Sequence, residues 1–507
     1  MLQYSMRRSV CRQFLSAALL SVVFLLLQSV PYVLAERAGD GGHVFGGFLL
    51  NPTDGYSYLA KMRQGFEGAW SFTLPYSAQP GQPTAINLYY LLLGHVARVL
   101  RWSLVFTFHG ARLLGAAALC AALYRFFNAI VPGLRTWALA VALFGSGFGW
   151  LAVASGAFTS DFWVAEMYPF LASFANAHFP LGLALQVFLI TPTDAPRPVA
   201  WLLAAAVAAV VYPFGWAVAA AVLCAAALLT VLRKQESAAQ WKQAAWVLAG
   251  GLPYALYALV IVNTHPALAG WNVQNITPAM PLWDLVTSLA PALLLALPSV
   301  YFALTQRQRA VQLLAVWLLV CLVFLYLPFG LQRRMSSGQY IPAIGLAVVA
   351  IQRWLNAAAR RRLALVLLFL LALPTNLLIL LGGLQASREQ EAALFLRADE
   401  VAAYQWLAAH SAPGALLLAP ERNSLHAPAF ADVRVWYAHP FETVQAEQRK
   451  GEQEAFFADD LPRETFLAAH AVDYILWDVS MAPGTTLHGW HEVFADGSVL
   501  IWARDVE

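Results

Sequence analysis

Hydrophobic residues fall in long blocks along the first three quarters of this chain, too long for the core elements of a water-soluble domain. Apolar runs of about 20 residues match the hydrocarbon thickness of a bilayer. Eleven membrane-spanning helices are expected, at 14–34, 103–124, 134–154, 170–190, 198–211, 214–232, 243–263, 283–304, 310–329, 339–354 and 363–383. The fifth and sixth are short and meet at Tyr212-Pro213-Phe214-Gly215, which predicts a tight hairpin or a discontinuous element. The stretch 85–100, with Leu88-Tyr89-Tyr90-Leu91-Leu92-Leu93, is expected to lie on the outer surface as an amphipathic helix. As a twelfth span it would reverse the side of every later basic cluster. Beyond Gly383 the pattern changes. Helical spacing at 399–410, 443–458 and 463–471 alternates with strand-like runs at 415–419, 433–437, 472–477 and 497–503. That alternation predicts a small α/β domain with one sheet.

Composition sharpens this division. The chain is 60% hydrophobic and 12% charged, with a mean hydropathy of +0.60. Residues 1–384 carry 23 Lys/Arg against 9 Asp/Glu, and residues 385–507 carry 8 against 19. The expected organisation is therefore a basic multi-span membrane domain, 1–384, whose outer loop is 35–102, and an acidic extracytoplasmic domain, 385–507. Arg125, Arg135, Arg197, Arg233, Lys234, Lys242, Arg307, Arg309, Arg353, Arg360, Arg361 and Arg362 all fall on the N-terminal side of the eleven-span scheme, which the positive-inside rule makes cytoplasmic. Arg7, Arg8 and Arg12 precede the first span, and Val33-Leu34-Ala35 ends it like a signal-peptidase site. A cleaved signal peptide and an uncleaved signal anchor both fit, and the anchor is favoured because a downstream bundle would pack against this span. Cys11, Cys120, Cys224 and Cys321 all precede residue 385, so the acidic domain has no internal disulfide. The chain shows no Gly-rich phosphate loop, no Ser/His/Asp arrangement and no basic stripe for nucleic acid.

The exceptions to the topology carry the chemistry. Seven acids of the membrane domain fall on the outer side: Glu36, Asp40, Asp54, Glu67, Asp161, Glu166 and Asp284. So do Lys61, Arg63, Arg98, Arg101, Arg333 and Arg334, against the positive-inside rule. Asn51-Pro52-Thr53-Asp54 reads as a helix start, after which Ser57, Tyr58 and Lys61 share one face with Asp54. Asp54 is the candidate general base, with Tyr58 and Lys61 shaping its pocket. The competing reading makes it a first-turn carboxylate that complements the helix dipole. Asp161 and Glu166 lie in a second outer loop, where an acid would orient an acceptor or help bind a divalent cation. Their spacing matches no metal motif, and plain loop solvation competes. His178 is a candidate phosphate contact or a helix-end histidine bonded to backbone. Arg112, within a span, either pairs internally or reaches the Asp54 loop. In the acidic domain Arg422, His426, His439 and Glu442 stand out, but their spacing is not diagnostic of zinc.

The run from Asp54-Gly55-Tyr56-Ser57-Tyr58-Leu59-Ala60-Lys61-Met62-Arg63 through Gly68-Ala69-Trp70, Pro75-Tyr76 and Leu88-Tyr89-Tyr90 to Ala111-Arg112-Leu113 resembles the first outer loop and following helices of GT-C fold glycosyltransferases. The bacterial protein-mannosyl and aminoarabinose transferase-like branch is most similar. The resemblance implies an enzyme of a bacterial inner membrane, with Asp54 at the catalytic position. It implies a polyprenyl-phosphate sugar as donor and a glycan, lipid or protein as acceptor. Asp54 would take the acceptor's proton while the acceptor attacks the anomeric carbon with inversion, and Arg333 and Arg334 would stabilise the departing lipid phosphate; the competing reading has these two arginines snorkel to lipid headgroups. The family usually places Asp-Glu where this chain has Asp54-Gly55, which puts a metal site in this loop in doubt. The rival reading is a non-catalytic transporter or an assembly scaffold for envelope polysaccharide, and the broken fifth and sixth spans favour transport.

Overall fold

A computed structural model describes residues 2–193, 195–235, 238–305, 308–480 and 487–505, with backbone alone for 2–13. Arg307 and the side chains of Arg7, Arg8, Cys11 and Arg12 lie outside the described residues. The chain is a helical membrane protein with a small C-terminal sheet. It divides into two compact units, one formed by 1–31, 110–256 and 277–384, the other by 32–109, 257–276 and 385–507.

Among the described residues, seven helices are long and apolar enough to cross a bilayer: Phe14–Ala38, Leu104–Ile130, Arg135–Ala154, Pro213–Leu232, Ala238–Thr264, Arg309–Tyr326 and Ala358–Arg388. Leu282–Leu289 and Ala292–Thr305 make an eighth if counted together, although they bend by 96°. The other expected spans are shorter than their apolar patterns. Residues 170–190 form Pro169–Ala175 and His178–Ile190, with a break between them. Pro198–Val211 has 14 residues and Tyr340–Trp354 has 15. At about 1.5 Å per residue neither covers about 30 Å of hydrocarbon. Proline sets several of these boundaries, standing in the first turn of the helices that begin at Pro169, Pro198 and Pro213. There its missing N–H breaks no intrahelical bond. The break expected at Tyr212 is present, with Tyr212 extended between two helices.

The first unit buries Arg112. Its guanidinium donates to the carbonyls of Ser173 (2.6 Å) and Gln28 (2.9 Å), so it pairs internally with backbone. Tyr340–Trp354 is buried along most of its length, and Trp317 lies in the same core.

The second unit joins the outer loop to the acidic C-terminal residues. Strand β1 (His43–Phe45) pairs antiparallel with β2 (Phe395–Arg397). The main sheet contains β3 (Ala415–Leu418), β4 (Val433–Val435), β5 (Tyr474–Asp478), β6 (Trp490–Asp496) and β7 (Val499–Arg504), in the order β4-β3-β5-β7-β6. Its β4, β3 and β5 run parallel, and β7 and β6 complete it antiparallel. Leu417, Ile475 and Ile501 are fully buried in it. Helices Ala398–His410, Ala446–Ala458 and Arg463–Ala469 match the expected helical stretches. Helix Glu421–Phe430 and strand β6 were not expected from the pattern. Outer-loop residues are stitched to this domain by hydrogen bonds: the Val435 N–H donates to the Pro75 carbonyl at 2.9 Å, and the Tyr76 hydroxyl donates to the Leu425 carbonyl at 3.0 Å. The stretch 85–100 forms one 13-residue helix, Leu88–Leu100, which packs in this unit against Pro52–Glu67.

Candidate functional site

Helix Pro52–Glu67 begins where Asn51 takes a left-handed backbone (φ 49°) and Pro52 follows. Asp54 stands in the first turn, as its position predicts. The Asn51 side-chain amide donates to Asp54 Oδ2 at 2.6 Å. The Ser57 hydroxyl donates to the Asp54 carbonyl at 3.0 Å. One turn on, Lys61 Nζ donates to Ser57 Oγ at 3.0 Å. The expected common face of Asp54, Ser57, Tyr58 and Lys61 is therefore formed. Tyr58 stacks on Tyr90 with 4.4 Å between centroids, and Lys61 Nζ lies 5.1 Å from the Tyr58 ring.

The partners of this face come from the turn 437–443, far along the chain. Lys61, only 3% exposed, forms a 2.6 Å ion pair with Glu442. Burial opposes ionisation of Glu442, but the charge of Lys61 and its hydrogen bond outweigh it and hold the carboxyl below its usual range. His439 Nε2 lies 3.5 Å from Asp54 Oδ1. Its other ring nitrogen, Nδ1, accepts the Phe441 N–H at 3.2 Å. A neutral His439 must then carry its proton on Nε2, the atom that faces Asp54. The turn itself is fastened by Thr443 Oγ1, which accepts the backbone N–H groups of Ala438 and His439. Asp54 remains a third exposed while His439 beside it is buried. The arrangement is a carboxylate held by Asn51 on one oxygen, with the other near His439, and open to solvent beside a buried charge pair. It is suited to accepting a proton from a docked hydroxyl.

Gly55 has a steric explanation. A Cβ at this position would fall 2.5 Å from the Phe48 ring. That ring packs edge-on against Tyr56 at 5.5 Å. The space a second acidic side chain would need is filled by an aromatic.

His426, paired with His439 in the zinc reading of the sequence, has different neighbours. Its ring meets Tyr56 at 4.2 Å. Burial, then the nearby Arg422, hold it well below the usual histidine range, so it is neutral at physiological pH. Arg422 is engaged with Glu400 at 2.8 Å.

The remaining candidates lie in the first unit. Asp161 is fully buried and accepts from Gly147 N–H (3.1 Å), Gly149 N–H (3.0 Å) and Thr159 Oγ1 (2.7 Å). Burial pushes its carboxyl upward, with these hydrogen bonds opposing. Asp284 accepts from the Ser160 N–H (2.8 Å) and the Ser288 hydroxyl (2.7 Å). Both carboxylates fasten chain segments together, which agrees with a structural rather than a substrate-facing Asp161. Glu166 pairs with Arg334 at 3.4 Å and also accepts the Gly338 N–H through its carbonyl. The Arg333 guanidinium lies 4.6 Å from the Trp163 ring. His178 and Tyr212 have ring centroids 6.0 Å apart. Thus Glu166, Arg333 and Arg334 are brought together, while Asp161 is turned to a separate hydrogen-bond network.

Among the described residues, no three His, Cys, Asp or Glu side chains are grouped to hold a metal ion. The carboxylates of Asp161 and Asp284 already accept several N–H and O–H donors, and Lys61 neutralises Glu442. These residues do not fit a divalent cation.

No family model and no curated protein sequence matches the chain. Solved structures do. The Archaeoglobus fulgidus oligosaccharyltransferase, in complex with zinc and sulfate, superposes with a TM-score of 0.55 at 11% identity, over 91% of this chain and 68% of its own. ArnT from Cupriavidus metallidurans gives 0.51 at 14% identity, over 94% and 97%. The arabinofuranosyltransferase AftD from Mycobacteria gives 0.50 at 14%, over 97% of this chain but only 40% of its own. With its multi-span bundle and outer loop, this chain has the fold of the GT-C membrane glycosyltransferases.

Proposed function

We propose that this chain is a membrane glycosyltransferase that moves a sugar from a polyprenyl-phosphate donor to an acceptor hydroxyl or amine at the outer face of a bacterial inner membrane. Asp54 is the general base. As the acceptor oxygen or nitrogen bonds to the anomeric carbon, the bond from that carbon to the phosphate oxygen breaks with inversion, and the acceptor's proton passes to Asp54. The observation that carries this reading is the Asp54 carboxylate in a GT-C fold, fixed by Asn51 on one oxygen and facing buried His439 with the other. His439 and Asn51 act as positioning residues, because a base held in one orientation needs no reorganisation when the acceptor arrives.

Lys61, buried against Glu442, shapes the pocket by fixing the turn that carries His439. Tyr58, stacked on Tyr90, forms an aromatic wall for the sugar or acceptor. Arg333 and Arg334 take the phosphate of the donor and of the departing lipid, with Glu166 and Trp163 setting their directions. His178 is assigned to the same phosphate-binding region.

The test is turnover of a polyprenyl-phosphate sugar by the purified chain and by Asp54→Asn. Loss of about a hundredfold or more in turnover at unchanged melting temperature supports the base. A variant that turns over like the wild type removes it. A transporter or scaffold, the reading favoured by the break at Tyr212 and the 96° bend, would be indifferent to the same substitution.

A further inference from the structure

Two cavities open between helices of the first unit, with volumes of about 640 and 1080 Å³. Trp201 lines both, so they adjoin, and residues such as Phe188 make their walls largely apolar. Each is of the size that takes a small organic ligand or a lipid segment. Arg125 and Arg197 line the smaller, Lys242 and Arg309 the larger. No acidic side chain among the described residues lines either.

These four cations come from four separate helices or helix starts. Arg125 is on Leu104–Ile130, Arg197 caps Pro198–Val211, Lys242 is near the start of Ala238–Thr264, and Arg309 begins Arg309–Tyr326. Arg197 and Arg309 therefore stand at helix N-termini, where the macrodipole is positive and a cation is disfavoured. The positive-inside rule accounts for basic residues at this end of the bundle. It does not account for their gathering around two adjoining apolar-walled cavities, two of them against helix dipoles. An anion there would be stabilised by the side-chain charges and by the two helix ends together.

We propose that these adjoining cavities bind an anionic lipid, with the phosphate headgroup among Arg125, Arg197, Lys242 and Arg309 and the acyl chain along the apolar wall. The lipid source is chosen over a soluble anion because the apolar walls would gain nothing from a free phosphate. The site is separate from the Asp54 cluster, and its test does not depend on turnover.

The experiment is native mass spectrometry of the detergent-solubilised full chain, titrated with dioleoyl phosphatidylglycerol and with dioleoyl phosphatidylcholine. The expected result is retention of the anionic lipid about tenfold tighter than the zwitterionic one, as clustered basic residues give at a membrane surface. Arg125→Gln/Arg197→Gln/Lys242→Gln/Arg309→Gln should abolish that preference. If the fourfold variant fails to fold, each of Arg125→Gln/Arg197→Gln and Lys242→Gln/Arg309→Gln should lower it. Equal retention of the two lipids by the wild type overturns the proposal, as does an undiminished preference in the variants. Displacement of the lipid by glycerol phosphate, the headgroup without its tail, overturns the lipid assignment.

Discussion

Lys61 and Glu442 show how a single pair organises the site. Both are buried, and each is the other's countercharge. Lys61→Met leaves the carboxylate of Glu442 in a low-dielectric setting without compensation, a change that costs about 3–5 kcal/mol. Chemical denaturation at neutral pH should show that loss, and Lys61→Met/Glu442→Leu should recover most of it. The sign of the pH effect follows from the depressed Glu442. In the wild type its contribution is present at neutral pH, above the ordinary glutamate value, and is lost as the pH falls through its lower folded value. In Lys61→Met burial, joined by the nearby charge of Asp54, pushes the carboxyl up, so mild acid, about pH 5, should restabilise the variant relative to the wild type. A Lys61→Met protein as stable as the wild type at neutral pH would remove the pair from this account. Gly55 gives a second residue-scale expectation. Gly55→Ala drives its Cβ into the Phe48 ring and should cost about 1–3 kcal/mol, with part of the loss recovered by Phe48→Leu. The sequence made the Asp54 helix readable because its spacing is local. His439 and Glu442 were conspicuous in the sequence, but as an unconvincing zinc set. Their partners lie some 380 residues earlier, as for Glu442 and Lys61 at a separation of 381, and no periodicity carries information over that distance.

Helix Pro52–Glu67 reaches its neighbour Leu88–Leu100 through glycines. A Cβ at Gly65 would fall 2.1 Å from the Leu91 carbonyl oxygen, and one at Gly94 would fall 2.0 Å from that of Met62. The two backbones are thus nearly in contact, the arrangement that small residues permit. Gly94→Ala must push the helices apart, since the obstacle is backbone and cannot rotate away. We expect a loss of about 1–3 kcal/mol, together with weaker substrate binding because Tyr58 on one helix stacks on Tyr90 of the other. Thermal unfolding and a KM comparison would check both parts, and an unchanged melting temperature would contradict the close packing. At this scale the polar C-terminal region was legible: four strands and three helices came from alternation and helical spacing. β6 escaped because its residues are mostly exposed, with only Trp490 buried, so no hydrophobic alternation marks it. Short membrane helices were harder, because an apolar run gives the composition of a span but not where a proline or a bend will interrupt it.

The whole chain separates charge as it separates structure, with the basic excess in 1–384 and the acidic excess in 385–507. The two compact units cut across that boundary, since the outer loop shares a unit with the C-terminal residues. Asp54, Tyr58, Lys61, His439 and Glu442 all belong to the second unit, whereas Glu166, Arg333 and Arg334 belong to the first. If the first set performs proton transfer and the second holds lipid phosphate, the two functions should come apart under mutation. Arg333→Ala/Arg334→Ala should lose co-purifying polyprenyl phosphate in native mass spectrometry, because the bidentate donors for the phosphate are gone. Asp54→Asn should retain the lipid and lose turnover. Loss of lipid in both variants would mean that Asp54 supports donor binding and is not the base alone. Bulk phospholipid alone in the wild type would remove the donor site and return the chain to the transport reading. The pairing of variants decides between these outcomes because binding is read without chemistry, and chemistry is read with binding intact.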